Sequence, residues 1–446
     1  MKESCNSVVI LAAGDGSRLK SSLPKVFHKI GGLSLVDHVI RSAKGINPAE
    51  IIVVLKPKFA DYPLEFGADI KKAYQEKPIG SADTVKCAMP VMNEDGNGYV
   101  YVLYADIPLV SFETLQKLYE VAENGNAGVV VLAMDASGSK GLGKLKLAGN
   151  TNDGKIQSIV EAKDAQATDN TVPLCNAGLL IKKGLLRKFI NKIEPSPITG
   201  EFYITKIVEM AYEAGYTCRY FEGSKKELSG ANTRSELAQL EQNFQERERQ
   251  KHMDNGVTLT SPETVFFSFD TVLEQDVTVL PYVVFLKNVH VKTGATVGPF
   301  CVLEGSTVNN AQVGPFSRLR TGSEICDGAK IGNFVEIKNS TISEGAKVNH
   351  LTYIGDSEVG KSTNIGAGTI TCNYDGFKKY RTKIGENVFI GSNTALVAPV
   401  EIGDNAMVGA GSVITKDVKS DDLAIARGTQ TALEGGSIRF RNSRKG

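Results

Sequence analysis

Apolar side chains recur every six residues through most of the second half of this 446-residue chain, and this period restricts the fold more than any other feature. A period of six fits neither an α-helix nor a simple alternating strand. It is typical of a hexapeptide β-helix, in which three short strands form one coil and each inward side chain stacks on its equivalent one coil away. A β-sandwich would keep such spacing only by chance. The runs are Val279, Phe285, Val291, Val297, Leu303; Val313, Leu319, Ile325, Ile331, Ile337; Ile342, Val348, Ile354; and Ile384, Ile390, Leu396, Ile402, Val408, Ile414.

The chain divides into three parts. Residues 1–232 alternate β-like and helix-like stretches, which predicts an α/β domain. Residues 233–254 predict a helical linker that opens with a capping box, Thr233 and Glu236, and is polar on most faces, so we expect it to bridge domains in solvent. We expect residues 255–446 to form the β-helix. The predicted strands of the first part are Val8–Ala12, Ile51–Leu55, Tyr99–Leu103, Val129–Met134 and Leu179–Lys182.

Composition excludes several classes of protein. The formal net charge is +1, so no global field attracts nucleic acid or an anionic membrane. No apolar run approaches the roughly 20 residues of a membrane helix, and the first residues lack the pattern of a signal peptide. Seven cysteines without a CxxC pair indicate free thiols and give no support for a zinc site. We therefore expect a cytoplasmic protein.

A glycine-rich loop follows the first predicted strand, in the segment VVILAAGDGSRLKSSLPKVF. Gly14 and Gly16 let the backbone approach a ligand, and Arg18 and Lys25 supply positive charge. This combination suits the phosphates of a nucleoside triphosphate, although it matches neither the Walker loop nor GxGxxG. A tight turn between a strand and a helix is the simpler alternative.

A second candidate site lies in the coil region. The segment NHLTYIGD contains His350, and residues 366–383 interrupt the period with the sequence CNYDG. Long excursions from a regular solenoid are often functional. Histidine supplies a base with a pKa near neutrality, as acyl transfer to an amine requires. A packed or solvated histidine is the alternative interpretation.

The LAAGxGSR…LPK pattern resembles the nucleotidyltransferases that activate sugar 1-phosphates. With the β-helix, the whole chain is similar to the bacterial family of bifunctional N-acetylglucosamine-1-phosphate uridyltransferases/glucosamine-1-phosphate N-acetyltransferases. The resemblance implies a Rossmann-like first domain, a left-handed coil and a homotrimer. It also implies acetylation of glucosamine 1-phosphate by acetyl-CoA, then transfer of UMP from UTP with release of pyrophosphate. The product would supply peptidoglycan and lipopolysaccharide synthesis.

The same resemblance assigns residues in the first domain. Arg18 and Lys25 would act on the UTP phosphates, and Asp106 and Asn232 would hold Mg²⁺. Gln75 would read uracil. The remaining substrate-binding residues would be Leu11, Ala12, Ala13 and Gly14 for UTP; Gly80 and Ser81 for the base; Tyr104 and Ala105 beside Asp106; and Gly143, Glu161 and Asn176 for the sugar. The chain departs from the family pattern at Ser81, Ala82, Asp83, Ala105 and Lys144, where the family has Thr, Gly, His, Gly and Arg.

The resemblance also assigns residues in the coil. His350 would deprotonate the amine, while Arg320 and Lys338, 18 residues apart and so one coil apart, would hold the sugar phosphate. Cys372 predicts a steric block by thiol reagents. The other implied contacts are Glu336 for the amine; Tyr353 and Asn364 for the sugar; Asn373 and Tyr374 for the acetyl group; and Ala367, Ser392, Ala410 and Arg427 for acetyl-CoA.

Two other functions remain open at this point. The chain could be a sugar nucleotidyltransferase with one activity and a structural coil, or a non-catalytic regulatory subunit. His350 with the CNYDG segment argues against the first, and Arg18, Lys25, Asp106 and Asn232 argue against the second.

Overall fold

The structure is a computed structural model that describes residues 5–14, 16–94, 97–137, 143–149, 154–165 and 171–445. Asp15 of the glycine-rich loop lies outside the described residues. The chain divides into two compact units, Met1–Gln245 and Glu246–Gly446, so the division falls inside the predicted linker helix.

The first unit is built on a mixed sheet with helices. Its strands, in chain order, are β1 (Ser7–Leu11), β2 (Lys29–Ile30), β3 (Leu33–Ser34), β4 (Glu50–Leu55), β5 (Lys71–Tyr74), β6 (Tyr99–Tyr104), β7 (Val129–Asp135), β8 (Lys144–Leu147), β9 (Ile156–Val160), β10 (Leu174–Lys182) and β11 (Cys218–Glu222). The helices are α1 (Leu35–Gly45), α2 (Ser81–Ala88), α3 (Phe112–Asn124), α4 (Lys183–Phe189), α5 (Lys206–Glu213), α6 (Lys225–Leu228) and α7 (Arg234–Asp254).

The strand order of the main sheet is β5-β4-β1-β6-β10-β7-β11. Strands β5, β4, β1 and β6 pair in parallel, whereas β10 runs antiparallel between β6 and β7. Parallel neighbours bring the carboxyl ends of these strands to one edge, which is where ligands bind in open α/β sheets. All five predicted strands are confirmed. Strand β5, with the sequence KKAY, was not predicted because it lies at the edge of the sheet and carries little apolar pattern.

Helix α7 begins with the predicted capping box. The Thr233 hydroxyl accepts from the Glu236 amide at 3.2 Å, and the Glu236 carboxylate accepts from the Thr233 amide at 2.9 Å. The expectation of a helix in solvent is wrong for part of its surface. Besides Leu240 and Phe244, the helix buries Asn243, Gln245, Glu248 and His252. Hydrogen bonds compensate part of this polar burial, as when the Asn243 amide donates to the Lys226 carbonyl at 3.1 Å.

The second unit is a coil of three parallel sheets. The first sheet contains β12 (Thr258–Leu259), β14 (Thr278–Val279), β17 (Thr296–Val297), β20 (Gln312–Val313), β23 (Lys330–Asn333), β26 (Lys347–His350), β29 (Asn364–Ile365), β32 (Phe389–Ile390), β35 (Met407–Val408) and β37 (Leu423–Ala424). The second contains β13 (Val272–Leu273), β16 (His290–Val291), β19 (Ser306–Val308), β22 (Ser323–Ile325), β25 (Thr341–Ile342), β28 (Ser357–Val359), β31 (Thr382–Ile384) and β34 (Val400–Ile402). The third contains β15 (Val284–Phe285), β18 (Val302–Leu303), β21 (Arg318–Leu319), β24 (Glu336–Lys338), β27 (Tyr353–Gly355), β30 (Ile370–Cys372), β33 (Ala395–Val397) and β36 (Val413–Ile414).

The six-residue period is confirmed as the core of this coil. Every residue of the four predicted runs is at most 4% exposed. The interruption at 366–383 is narrower than predicted, because β30 continues the third sheet through Ile370–Cys372. Its inward position holds Thr371, which is 1% exposed and accepts from the Gly355 amide at 2.8 Å, so a polar residue there hid the period. The excursion itself therefore spans residues 373–381.

The C-terminal segment adds one short helix, α8 (Gly436–Asn442). Among the described residues, no helix is both long and apolar enough to cross a membrane.

Candidate active sites

Lys25 joins the two predicted metal ligands in the first unit. Its ammonium forms an ion pair with the Asp106 carboxylate and donates to the Asn232 amide oxygen at 2.9 Å. Asp106 follows β6 at the carboxyl edge of the sheet, and the Ala231 amide donates to the Asp106 carbonyl at 3.1 Å, which holds residue 232 beside it. The two oxygens thus already share one cation. A carboxylate and an amide oxygen are donors that suit a hard divalent cation.

The glycine-rich loop fits closely around Lys25. Gly16 has φ +62°, and a Cβ there would lie 2.4 Å from the Cβ of Lys25, so any other residue would displace the lysine. A Cβ on Gly14 would meet nothing within 4 Å, so the backbone at Gly14 is open to a ligand. Arg18 lies exposed on the following turn, and within the part of the chain that the structure describes no hydrogen bond or ion pair joins it to Lys25 or Asp106. The structure therefore brings Lys25, but not Arg18, to the predicted metal ligands.

Gln75 is buried directly after β5, beside the start of α2. Its amide nitrogen donates to the Asp83 carboxylate at 2.7 Å and approaches the Gly80 carbonyl at 3.3 Å. Its amide oxygen accepts from the Thr84 hydroxyl at 3.0 Å. The Ser81 hydroxyl accepts from the Ile204 amide at 3.0 Å, which anchors the helix start. Asp83 was noted only as a departure from the family pattern, and its contact with Gln75 was not predicted.

Several predicted sugar contacts lie together on the same unit. The Asn176 amide donates to the Tyr104 hydroxyl at 2.9 Å, and a Cβ on Gly143 would lie 3.0 Å from the Glu161 carboxylate. The Thr205 hydroxyl donates to Glu161 at 2.6 Å. Burial raises the pKa of Glu161, with the Thr205 hydrogen bond opposing that shift. Burial also raises the pKa of Tyr104, and the charge of Glu161 adds to the shift. Thr205 was not predicted.

The predicted phosphate ligands of the coil, Arg320 and Lys338, lie next to each other on one side of the coil. Register pairs Leu319 with Ile337, which places Arg320 beside Lys338 as the spacing predicts. The Arg320 guanidinium donates to Glu336 at 2.8 Å, and this bond raises the pKa of Arg320. Lys379 of the 373–381 excursion reaches the same group and lowers the pKa of Lys338. Three cations thus lie together, which favours an anion there. Lys379 was not predicted, although the basic FKKYR segment was a signal.

The imidazole of His350 has a fixed neighbour. Its Nδ1 lies 3.1 Å from the side-chain oxygen of Asn333, the residue in register on β23. An amide oxygen only accepts, so this contact favours the tautomer with the proton on Nδ1 and leaves the Nε2 lone pair free. Asn333 was not predicted. It precedes His350 by 17 positions, one fewer than the 18 of three six-residue repeats, so the period alone would not have identified it.

Asn373 is held by a buried carboxylate. Its amide donates to Asp356, whose second oxygen accepts from the Asn339 amide at 2.6 Å. Burial opposes ionisation of Asp356, but these hydrogen bonds and the nearby lysines hold its pKa below the usual range. Asp356 therefore ties the start of the 373–381 excursion to the coil wall. Tyr374 follows it and is 60% exposed, with its hydroxyl donating to the Gly376 carbonyl at 2.6 Å.

The predicted acetyl-CoA residues lie on successive coils, each two or three residues after a strand of the first sheet. The Ala367 carbonyl accepts from the Asn393 amide at 2.7 Å, next to Ser392. The Ser392 carbonyl accepts from the Gly411 amide at 2.8 Å, next to Ala410. The Ala410 carbonyl accepts from the Arg427 guanidinium at 2.7 Å. Tyr353 and Asn364 lie half-buried on β27 and β29.

Comparison with known proteins finds a family match in each of the two units. Residues 8–175 match the family described as MobA-like NTP transferase domain, and residues 381–416 match bacterial transferase hexapeptide (six repeats). The bifunctional protein GlmU of Paracoccus denitrificans is 44% identical over 99% of this chain and 98% of its own length. That of Zymomonas mobilis is 42% identical over 98% of each chain, and that of Paramagnetospirillum magneticum is 44% identical over 99% of this chain and 98% of its own.

The chain belongs to the bifunctional GlmU family. It is a transferase with an NTP transferase domain for uridyl transfer and a hexapeptide domain for acetyl transfer. A GlmU-type nucleotidyltransferase implies a divalent metal. Within the described residues, no group of three or more His, Cys, Asp or Glu side chains is placed to hold one. The Asp106–Asn232 pair still fits, because a cation that keeps water and substrate phosphate oxygens needs few protein ligands.

Proposed function

We propose that the chain acetylates glucosamine 1-phosphate with acetyl-CoA at its coil and then transfers UMP from UTP to N-acetylglucosamine 1-phosphate at its first unit. The observation that carries the proposal is the shared contact of Asp106 and Asn232 with the Lys25 ammonium, because it assembles a cation site at the carboxyl edge of a nucleotidyltransferase sheet. The His350 site supports the second activity.

In uridyl transfer, a phosphate oxygen of the sugar attacks the α-phosphorus of UTP, and pyrophosphate leaves. The protein supplies no nucleophile, so positioning and charge carry the catalysis. Lys25 neutralises charge on the phosphates, and exposed Arg18 reaches the outer phosphates once the nucleotide is bound. The backbone at Leu11, Ala12, Ala13 and Gly14 borders the nucleotide, while Tyr104, Asn176 and Glu161 orient the sugar.

The metal in the first unit is Mg²⁺ in this proposal, held by Asp106 and Asn232. When bound, Mg²⁺ would supply positive charge to the triphosphate. Lys25, which contacts both of these oxygens, supplies a second positive charge for the phosphates in this proposal. Its burial keeps the charge close to them.

In acetyl transfer, His350 Nε2 takes a proton from the amine of glucosamine 1-phosphate while the nitrogen attacks the thioester carbonyl. The C–S bond of acetyl-CoA breaks, and the CoA sulfur leaves with a proton returned by His350. Arg320 and Lys338 hold the sugar phosphate, and Glu336 positions the amine. Asn373 and the backbone amide of Tyr374 face the acetyl group, and the Tyr374 amide donates to the developing oxyanion. Ala367, Ser392, Ala410 and Arg427 line the acetyl-CoA cleft.

A homotrimer is part of the proposal, because the coil exposes an aromatic ladder. Tyr282, Phe300, Phe316 and Phe334 stack at centroid spacings of 4.9, 4.8 and 5.2 Å and are 46–55% exposed. Leu351, beside His350, occupies the next coil and is 64% exposed. Such a continuous apolar surface favours association with a second copy.

Phe316→Lys should give a smaller species in light scattering with reduced acetyl transfer. An unchanged mass would contradict the proposal that the aromatic ladder lies in the interface between copies.

One experiment tests the two activities together. The full chain is incubated with glucosamine 1-phosphate, acetyl-CoA, UTP and Mg²⁺, and free CoA and pyrophosphate are measured. We expect both products from the unaltered chain. His350→Ala should release no CoA from glucosamine 1-phosphate but should still release pyrophosphate when pre-acetylated sugar is supplied. Pyrophosphate from the unaltered chain only when pre-acetylated sugar is supplied, and no CoA, would indicate a single-activity nucleotidyltransferase. Neither product with either sugar would indicate a regulatory subunit.

A further inference from the structure

We infer that Asp83 fixes the orientation of the Gln75 amide so that the nucleotide site offers a hydrogen-bond acceptor to the base, which selects uracil over cytosine. This inference rests on the proposed uridyl transfer. It adds a specificity-determining role for Asp83, which belongs to none of the predicted ligand sets.

The orientation follows from the chemistry of the neighbours. A carboxylate can only accept hydrogen bonds. The Gln75 atom 2.7 Å from Asp83 must therefore be the nitrogen, since a flipped amide would place its oxygen against the carboxylate. The Gly80 carbonyl, 3.3 Å from the same nitrogen, disfavours the flip in the same way. The Thr84 hydroxyl lies 3.0 Å from the Gln75 oxygen and 3.1 Å from the Gly80 carbonyl, and it stabilises the same orientation when it donates to Gln75.

In this orientation the Gln75 side chain can still accept one more hydrogen bond. Both N–H groups are directed at Asp83 and Gly80, whereas the amide oxygen has a second lone pair. Gln75 is 3% exposed, so little water reaches it. A polar atom of a base that lacked a hydrogen-bond partner there would therefore stay unsatisfied, which costs binding free energy. Gln75 directly follows β5, and its own amide donates to the Leu55 carbonyl at the end of β4 at 2.9 Å, which places it at the carboxyl edge of the sheet.

The remaining acceptor of Gln75 can pair with uracil or thymine but not with cytosine. Uracil and thymine carry N3–H, a donor, whereas cytosine presents N3 as an acceptor. Two acceptors facing each other in a buried site leave both unsatisfied, and sites built on such a contact discriminate strongly. With Asp83 present, Gln75 cannot turn its nitrogen towards cytosine without meeting the carboxylate.

The test compares nucleotides in the full chain. Pyrophosphate release is measured with N-acetylglucosamine 1-phosphate, Mg²⁺ and UTP, dTTP or CTP. The key variant is Asp83→Asn, because Asn has nearly the same size and can still bond Gln75, but it can present either an acceptor or a donor. We expect the ratio of kcat/KM for UTP over CTP to fall by roughly fivefold or more. Asp83→Ala should lower it further, and dTTP should follow UTP.

A control variant separates this role from general damage near the site. Glu76→Gln removes the next carboxylate, which is exposed, and should keep the UTP/CTP ratio. Acetyl transfer by each variant reports on an intact chain. An unchanged ratio in both Asp83→Asn and Asp83→Ala overturns the inference while uridyl transfer stands. Failure of the unaltered chain to release pyrophosphate with any of the three nucleotides overturns the proposed function and this inference with it.

Discussion

The ammonium nitrogen of Lys25 lies 2.9 Å from the amide oxygen of Asn232, although the two residues are 207 positions apart in the chain. The same ammonium pairs with the Asp106 carboxylate. One buried lysine thus holds together the two residues that would bind the metal. This arrangement gives Lys25 a structural role beside the metal-binding pair, and the proposed function gives it a second role on the phosphates.

Lys25→Met should lower uridyl transfer by about 100-fold or more, because a fixed positive charge next to the phosphates is lost. Acetyl transfer should be unchanged, since it takes place on the other unit. Initial rates of pyrophosphate and CoA release from the same preparation measure both effects. Lys44→Met, which removes a partly exposed cation paired with Asp69, is the matched control. Equal loss of both activities would argue against separate sites.

Asn333→Ala should reduce acetyl transfer by about tenfold, a smaller loss than His350→Ala, because Asn333 orients the base without touching the substrate. The pH profile of kcat/KM should also change, since the Nδ1 proton loses its acceptor. Rates are measured from pH 5.5 to 9 with CoA release as the readout. Gln312→Ala removes an exposed amide of the same sheet and should leave both the rate and the profile unchanged. A rate loss with an unaltered profile would indicate a structural role only.

Asp356→Ala should release the 373–381 excursion from the coil wall, because Asp356 holds the amide of Asn373. We expect faster trypsin cleavage at Lys378, Lys379 and Arg381 and a loss of acetyl transfer of at least tenfold. Timed digestion followed by mass spectrometry locates the cuts. Asp327→Ala, an exposed carboxylate on a coil turn, should resist trypsin like the unaltered chain. Unchanged digestion of Asp356→Ala would show that other contacts anchor the excursion.

His252 should make the protein less stable in acid. It is 3% exposed, its ring lies tilted against that of Phe267 with centroids 4.6 Å apart, and neither ring nitrogen has a hydrogen-bond partner among the described residues. Burial lowers its pKa to about 4 from 6.5. The unfolded chain therefore binds the proton first, and stability present above pH 6.5 is lost as the pH falls towards 4, by up to about 1.4 kcal/mol per pH unit.

The unfolding midpoint measured between pH 7 and 4.5 tests this effect. His252→Phe and His252→Leu should weaken the acid dependence and raise the midpoint at pH 5, because no buried imidazole remains to be protonated. His290→Gln changes a half-exposed histidine paired with Glu274 and serves as the comparison. An identical acid dependence in all four proteins would show that carboxylates alone cause it.

Much of the fold could be predicted because the sequence patterns that indicate it are local. The six-residue period identified the inward residues, and the Thr233–Glu236 pair identified the start of α7, since each depends only on neighbours in the chain. Edge strand β5 and the polar inward residue Thr371 were missed for the complementary reason. Their sequences carry no apolar pattern, and their structure depends on partners elsewhere.

The sequence by itself determined the stacked coil and the α/β sheet, and through motifs and resemblance it identified most of the candidate ligands. Only the tertiary structure decided which side chains orient those ligands: Asp83 for Gln75, Asn333 for His350 and Asp356 for Asn373. In the coil, the spacing between stacked residues varies, since Val297 pairs with Val313 but Ile331 pairs with Val348. A period gives the inward face of each coil, whereas a hydrogen bond needs the register between coils, and that register is set by packing.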